Sequence, residues 1–130
     1  MSELGEINRR LALIAGEAFC RTVLEPDGYT QIELARVPFA SFDFVYERDG
    51  DVVVVDTVVG DQELDGLNEF AAGSTGYVEL IVDAMRANAA DVAGRIGGAF
   101  AAGRLRYYEV RQLFDDNDEL GETEAREFAL

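Results

Sequence analysis

The sequence predicts an α+β fold: a helix, a three-stranded antiparallel meander, a long helix that is whole or split, and a further strand, with one layer of sheet packed by helices. Three observations predict it. The stretch Phe42 to Val59, FDFVYERDGDVVVVDTVV, alternates in character as far as Asp49-Gly50 and then enters the valine run Val52 to Val55. Asp-Gly between two such segments signals a hairpin, because both central residues of a type I′ turn need φ > 0. An unbroken β-branched run suits a central strand covered on both faces. Apolar residues recur at helical spacing near the start and again across 77–102, and alternation returns in RLRYYEVRQLF, Arg104 to Phe114.

The elements follow in order. Ser2 is an N-cap, and Glu3 and Glu6 complement the dipole of a first helix running from Glu3 to Arg21. Leu4, Ile7, Leu11, Ile14 and Ala18 form its apolar stripe, with Ala18 facing the core and Cys20 a small buried hydrophobe. Glu25-Pro26-Asp27-Gly28 is a turn. Tyr29 to Val37 alternates as a half-buried first strand, ended by Pro38, and the two hairpin strands complete the meander. Gly60 to Gly76 reads as a loop, with one short helical turn around Leu64 to Ala72 as an option. Tyr77, Leu80, Ile81, Ala84, Met85, Val92, Ile96 and Phe100 mark one helix or two, with a break near Asn88. Gly94 and Gly98, four apart, predict close packing on the sheet or on a partner helix. Gly103 caps that helix and Arg104 to Phe114 is the fourth strand, with Leu105 and Tyr107 facing opposite to Tyr108 and Val110.

At 130 residues the chain is one domain with a sizeable core. It divides into an α+β domain over 1–114 and an acidic C-terminal tail over 115–130. A hydrophobic content of 48% excludes a disordered chain. No apolar run approaches the ~20 residues of a membrane span, and no basic segment with an apolar core marks a signal peptide. A cytoplasmic protein away from membranes is expected. One cysteine and no histidine exclude an internal disulfide, Cys/His zinc sites, histidine acid–base chemistry and histidine-dependent hydrolases.

Charge is the unusual feature. Acids number 26 against 11 bases, a net charge of −15, and every base is arginine. Acid excess without lysine suits a salt-loving organism, where hydrated carboxylates keep a surface soluble; a high-GC phage is the other source. Net charge disfavours nucleic-acid binding except through a local arginine patch, and Arg104, Arg106 and Arg111 make the one basic stretch. In the tail, Asp116, Asp118, Gly121 and Glu127 match positions of a calcium loop, but Leu120 stands where an oxygen ligand belongs, so the tail reads as solvated, with Phe128 and Leu130 docking.

A two-residue turn at Asp49-Gly50 sets Arg48 opposite Asp51, Tyr46 opposite Val53, and Asp43 opposite Asp56. Two carboxylates about 4.5–5.5 Å apart at Cβ repel each other unless a shared proton, an arginine or a divalent cation intervenes. The alternative is a longer turn, or a pair in water at a strand end.

The element order, with SFDFVYERDGDVVVVDT as its strand-turn-strand, resembles the core of the PD-(D/E)xK, or restriction-endonuclease-like, nucleases over residues 3–114. That resemblance implies Glu17 as the helix acid, Asp43 as the second-strand aspartate and Asp56-Thr57-Val58 as the third-strand motif. Together Glu17, Asp43 and Asp56 would be metal ligands, for Mg²⁺ or Mn²⁺ if the carboxylates are occupied. The sequence establishes no cofactor and no catalytic residue. Val58 stands where the family has its lysine, and valine neither activates water nor stabilises charge. Arg36 or Arg106 would supply the charge but not a base.

The expectation is therefore a non-catalytic nuclease-like domain that binds nucleic acid or protein. The alternative is a small acidic protein–protein interaction module, a dimeric adaptor or chaperone-like protein. Small acidic secretion chaperones are similar in their helix-then-strands beginning, but have two strands after the second major helix where this sequence shows one. A DNA-mimic inhibitor comes third, since its acids should form a linear array and here they are scattered.

Overall fold

Val52 to Val55 form the centre of the molecule, each 0–1% exposed. The computed structural model describes residues 3–32, 42–60, 75–87, 89–117 and 119–128. Its elements are α1 (Glu3–Phe19), β1 (Thr30–Ile32), β2 (Phe44–Arg48), β3 (Asp51–Val59), α2 (Thr75–Met85), α3 (Ala90–Ala101), β4 (Leu105–Phe114) and β5 (Leu120–Phe128). The five strands form one sheet in the order β1-β2-β3-β4-β5. β1, β2 and β3 are the antiparallel meander, β4 runs parallel to β3, and β5 returns antiparallel to β4. A parallel neighbour cannot be reached through a tight turn. The segment holding α2 and α3 makes that crossover.

The hairpin has its expected turn, with φ of 50° at Asp49 and 89° at Gly50. Its register sets Arg48 opposite Asp51 and Tyr46 opposite Val53. Alternation breaks at one point. A bend at Asp43 turns Phe42 away from the face of Phe44 and Tyr46, so Phe42 packs with Val45 on the other side of the sheet.

The two faces of β3 belong to two cores. Val52 and Val54 pack with Phe42, Ile81, Met85, Ile96 and Tyr107 beneath α2 and α3. Val53 and Val55 pack with Ala15, Cys20, Leu24, Tyr29 and Tyr46 on the side of α1. Because β3 is buried on both faces, its sequence has no polar alternation to show.

The helices depart from expectation in three ways. In α1 the expected stripe does not face the core: Ile7 and Ile14 are 52% and 63% exposed, and Ala18 is exposed too. Ala12, Ala15 and Gly16 face the sheet instead. The reason is closeness, since a Cβ on Gly16 would lie 2.4 Å from the Thr57 methyl and 2.8 Å from the Phe44 ring. After Phe19 the helix widens through a turn at Cys20–Leu24, where the Glu25 N–H donates to Cys20 O. The second helical region takes the split form of the two expected, as α2 and α3. In α3, Val92, Ala93, Ile96 and Ala99 are buried, whereas Gly94 and Gly98 point into open space and do not pack on the sheet. Gly97 is the glycine that faces α2, where a Cβ added to it would lie 3.6 Å from the Val82 side chain, in ordinary contact.

The stretch after Asp115 is the largest difference. Leu120–Phe128 forms β5 rather than an acidic tail, paired along β4 from Tyr107↔Phe128 to Phe114↔Leu120. Phe128 docks as expected, edge-on to Tyr107 with centroids 5.0 Å apart. Gly121 and Glu127 are thus in extended chain, not a calcium loop. The expected strand residues 33–37, Arg36 among them, the Leu64–Ala72 turn, Asn88, Asp118 and Leu130 lie outside the described residues.

Candidate functional site

Asp43 ends the β2–β3 ladder. Its N–H donates to Val55 O at 3.0 Å and to Asp56 Oδ1 at 3.3 Å, so the two aspartates do come together as neighbours. The bend at Asp43 then turns its carboxylate along the strand end. Asp43 Oδ2 accepts from the Thr57 N–H at 2.8 Å and from the Thr57 hydroxyl at 2.9 Å. Asp43 Oδ1 pairs with the Arg9 guanidinium. Arg9 lies one and two turns from Ala12 and Gly16, on the face of α1 that meets the sheet, and this close seat brings it to Thr57. It also donates to Thr57 Oγ1 at 3.2 Å.

Asp56 is 5% exposed. It alternates with Val54 along β3 and therefore lies on the α2–α3 side, where the Tyr107 hydroxyl donates to its Oδ2. Burial first, and the Asp43 charge second, raise the Asp56 carboxyl from 3.8 to about 7, against the opposing pull of Tyr107, the Asp43 N–H and Arg9. Tyr107 is itself raised above the usual phenol range by burial and by Asp56, so it stays a donor. Near neutral pH the Asp56 proton is therefore partly retained. An internal arginine and a retained proton offset the repulsion that the hairpin register creates.

Glu17 does not join this pair. It is exposed on α1 and binds Arg21 one turn on, at 2.7 Å. Among the described residues no three Asp, Glu, Cys or His side chains are placed to hold a metal ion. Val58, where the nuclease resemblance would need a lysine, is buried. Arg106 is turned to β5 and paired with Glu127 at 3.0 Å.

Sequence reasoning missed Arg9 and a second buried acid. Glu109, on β4, is the register partner of Asp56 on β3 and of Arg126 on β5, and is 6% exposed. Arg111 and Arg126 hold its two oxygens at 3.1 and 3.2 Å. The signal for Glu109 was its alternation with Leu105 and Tyr107, which places it on the core face. The signal for Arg9 was its helical spacing from the small residues Ala12 and Gly16. The basic stretch is also spoken for: Arg104 pairs with Asp51 at 2.8 Å, and Arg106 and Arg111 with the two glutamates above.

Cys20 is fully buried, and burial pushes its thiol up to about 12, which leaves it an inert hydrophobe rather than a nucleophile. No helix among the described residues is long and apolar enough to cross a membrane. Compared with protein-family models, curated proteins and solved structures, the chain finds no match.

Proposed function

We propose that this chain is a non-catalytic interaction module, a small acidic α+β domain that binds protein rather than nucleic acid. One observation carries the reading. Each of the four carboxylate oxygens of Asp43 and Asp56 is engaged from within the protein, by Arg9, Thr57, Tyr107 or the Asp43 N–H. A pair satisfied in this way holds the α1, β2 and β3 ends together, with every oxygen already accepting a hydrogen bond from the protein. The pairing of Arg104, Arg106 and Arg111 with acids removes the basic patch that phosphate contacts require. β5 also supplies the second strand after the helices that a likeness to small acidic secretion chaperones calls for. An acidic surface of this kind fits a salt-rich cell interior.

A second reading keeps the PD-(D/E)xK likeness as ancestry. Its support is the adjacency of Asp43 and Asp56 on neighbouring strands, with β4 parallel to β3. In that reading the lysine position became Val58 and Arg9 took over the carboxylate.

The test is incubation with linear, branched and single-stranded DNA in Mg²⁺ and in Mn²⁺, with amide NMR spectra recorded during Mn²⁺ titration. The module reading expects no cleavage, and no broadening centred on Asp43 and Asp56. Cleavage abolished by Asp43→Ala, or selective broadening at those two residues, overturns it.

A further inference from the structure

The outward side of α1 carries apolar residues at a spacing that the described residues of a single copy do not use. Ile7, Leu11, Ile14 and Ala18 follow one another at intervals of four, three and four. That is the a/d spacing of a two-helix seam, narrower than the stripe of a helix lying on a sheet. The sheet is instead met by Ala12, Ala15 and Gly16, about a third of a turn away. Ile7 and Ile14 are more than half exposed, Ala18 is exposed and Leu11 only partly covered. Burying them would recover apolar area that folding leaves in water.

Charge selects the occupant. Arg10 and Glu17 flank the seam on one side, seven residues apart, each directly preceding a seam residue. Arg10 makes no ion pair among the described residues, and Glu17 meets only its helix neighbour Arg21. In a parallel pair these positions would face those of Ala15 and Thr22, which offer no charge. In an antiparallel pair, flanking positions of one kind face each other. Setting Leu11 of one copy beside Ile14 of the other then brings Arg10 toward Glu17 of the second copy, twice over by symmetry. The seam is complementary to itself in shape spacing and in charge.

We infer that α1 is a self-association surface that takes a second copy of this chain through an antiparallel α1–α1 seam. A 17-residue helix is about 25 Å long. One helix pair of that length buries less than the ~1,200–2,000 Å² of a standard interface, so the dimer is weak. Two copies of net charge −15 also repel, and salt screens that repulsion more than it weakens an apolar seam. Association is therefore stronger at high ionic strength.

This inference rests on the reading of the chain as an interaction module, and the experiments separate the two. Sedimentation equilibrium of the full chain, in molar salt and up to millimolar protein, should give a monomer–dimer equilibrium. Ile14→Glu should weaken it at least about tenfold, since it places a charge in the seam, while circular dichroism and the urea midpoint stay near those of the parent. Compared at about 0.15 M salt, where an exposed ion pair is not yet screened out, Arg10→Glu and Glu17→Arg should each weaken association relative to the parent, and the double variant should recover it, which a merely structural effect would not do. A monomer at every concentration, a dimer indifferent to Ile14→Glu, or a double variant no better than the single ones overturns the seam. None of those results touches the module reading, which falls only to DNA cleavage or Mn²⁺ broadening at Asp43 and Asp56.

Discussion

The two faces of β3 solve burial differently. Toward α2 and α3 the strand meets bulk: Phe42, Met85, Ile96 and Tyr107 fill the space above Val52 and Val54. Toward α1 it meets proximity: Ala12, Ala15 and Gly16 let the helix backbone sit against Thr57 and Phe44 with little side chain between. A core filled by volume fails when volume is removed. A core closed by approach fails when volume is added. The same difference fixes the polar chemistry at the strand's end. The close helix lends Arg9 to Asp43, while the bulky side lends a phenol to Asp56.

The largest effect should come from emptying the bulky face. Ile96 is fully buried, and Ile96→Ala should cost about 2–5 kcal/mol of unfolding free energy, read from urea denaturation. The matching change on the other face is an addition. Gly16→Ala gains up to about 1 kcal/mol of helix propensity, but its methyl would lie 2.4 Å from the buried Thr57 methyl. A net loss of about 1–2 kcal/mol is expected, and a stabilised Gly16→Ala variant would show that α1 sits farther from β3.

The third effect is electrostatic and is read as a slope with pH. Asp56 holds a proton to about pH 7 in the folded chain and to 3.8 in the unfolded one. Between those values the unfolded chain binds fewer protons, so stability falls as pH rises and levels off above the folded value. The contribution is complete below the unfolded value. The slope is at most about 1.4 kcal/mol per pH unit. Urea midpoints from pH 4 to 8, taken in high salt to suppress the self-repulsion of the other acids, should show a decline in the parent that Asp56→Asn flattens. Equal slopes in the two would place the coupling elsewhere.

Much of the sheet was legible because its signals are local. Asp49-Gly50 needs two positive φ values whatever surrounds it, and Val52–Val55 resists any element but a buried strand. Hairpin register followed from the turn, and with it the meeting of Asp43 and Asp56. β5 was hidden because an edge strand in water has no apolar face to alternate: every residue from Leu120 to Glu127 is exposed, and only Phe128 tucks in. Acidic side chains on such an edge look like a tail in sequence, and in the fold they discourage a further strand from adding.

By itself, then, the sequence determined local geometry: where the chain turns, which run is central, and which residue types are absent from any site. Tertiary structure alone decided the inward side of α1. Hydropathy ranks Ile7 and Ile14 above Ala12 and Gly16, but a helix is seated by the sum of what its close approach allows. Removing side chains from the interface lets the whole backbone, and Arg9 with it, come within reach of the strand. That gain belongs to the pair of surfaces, and neither surface encodes it alone.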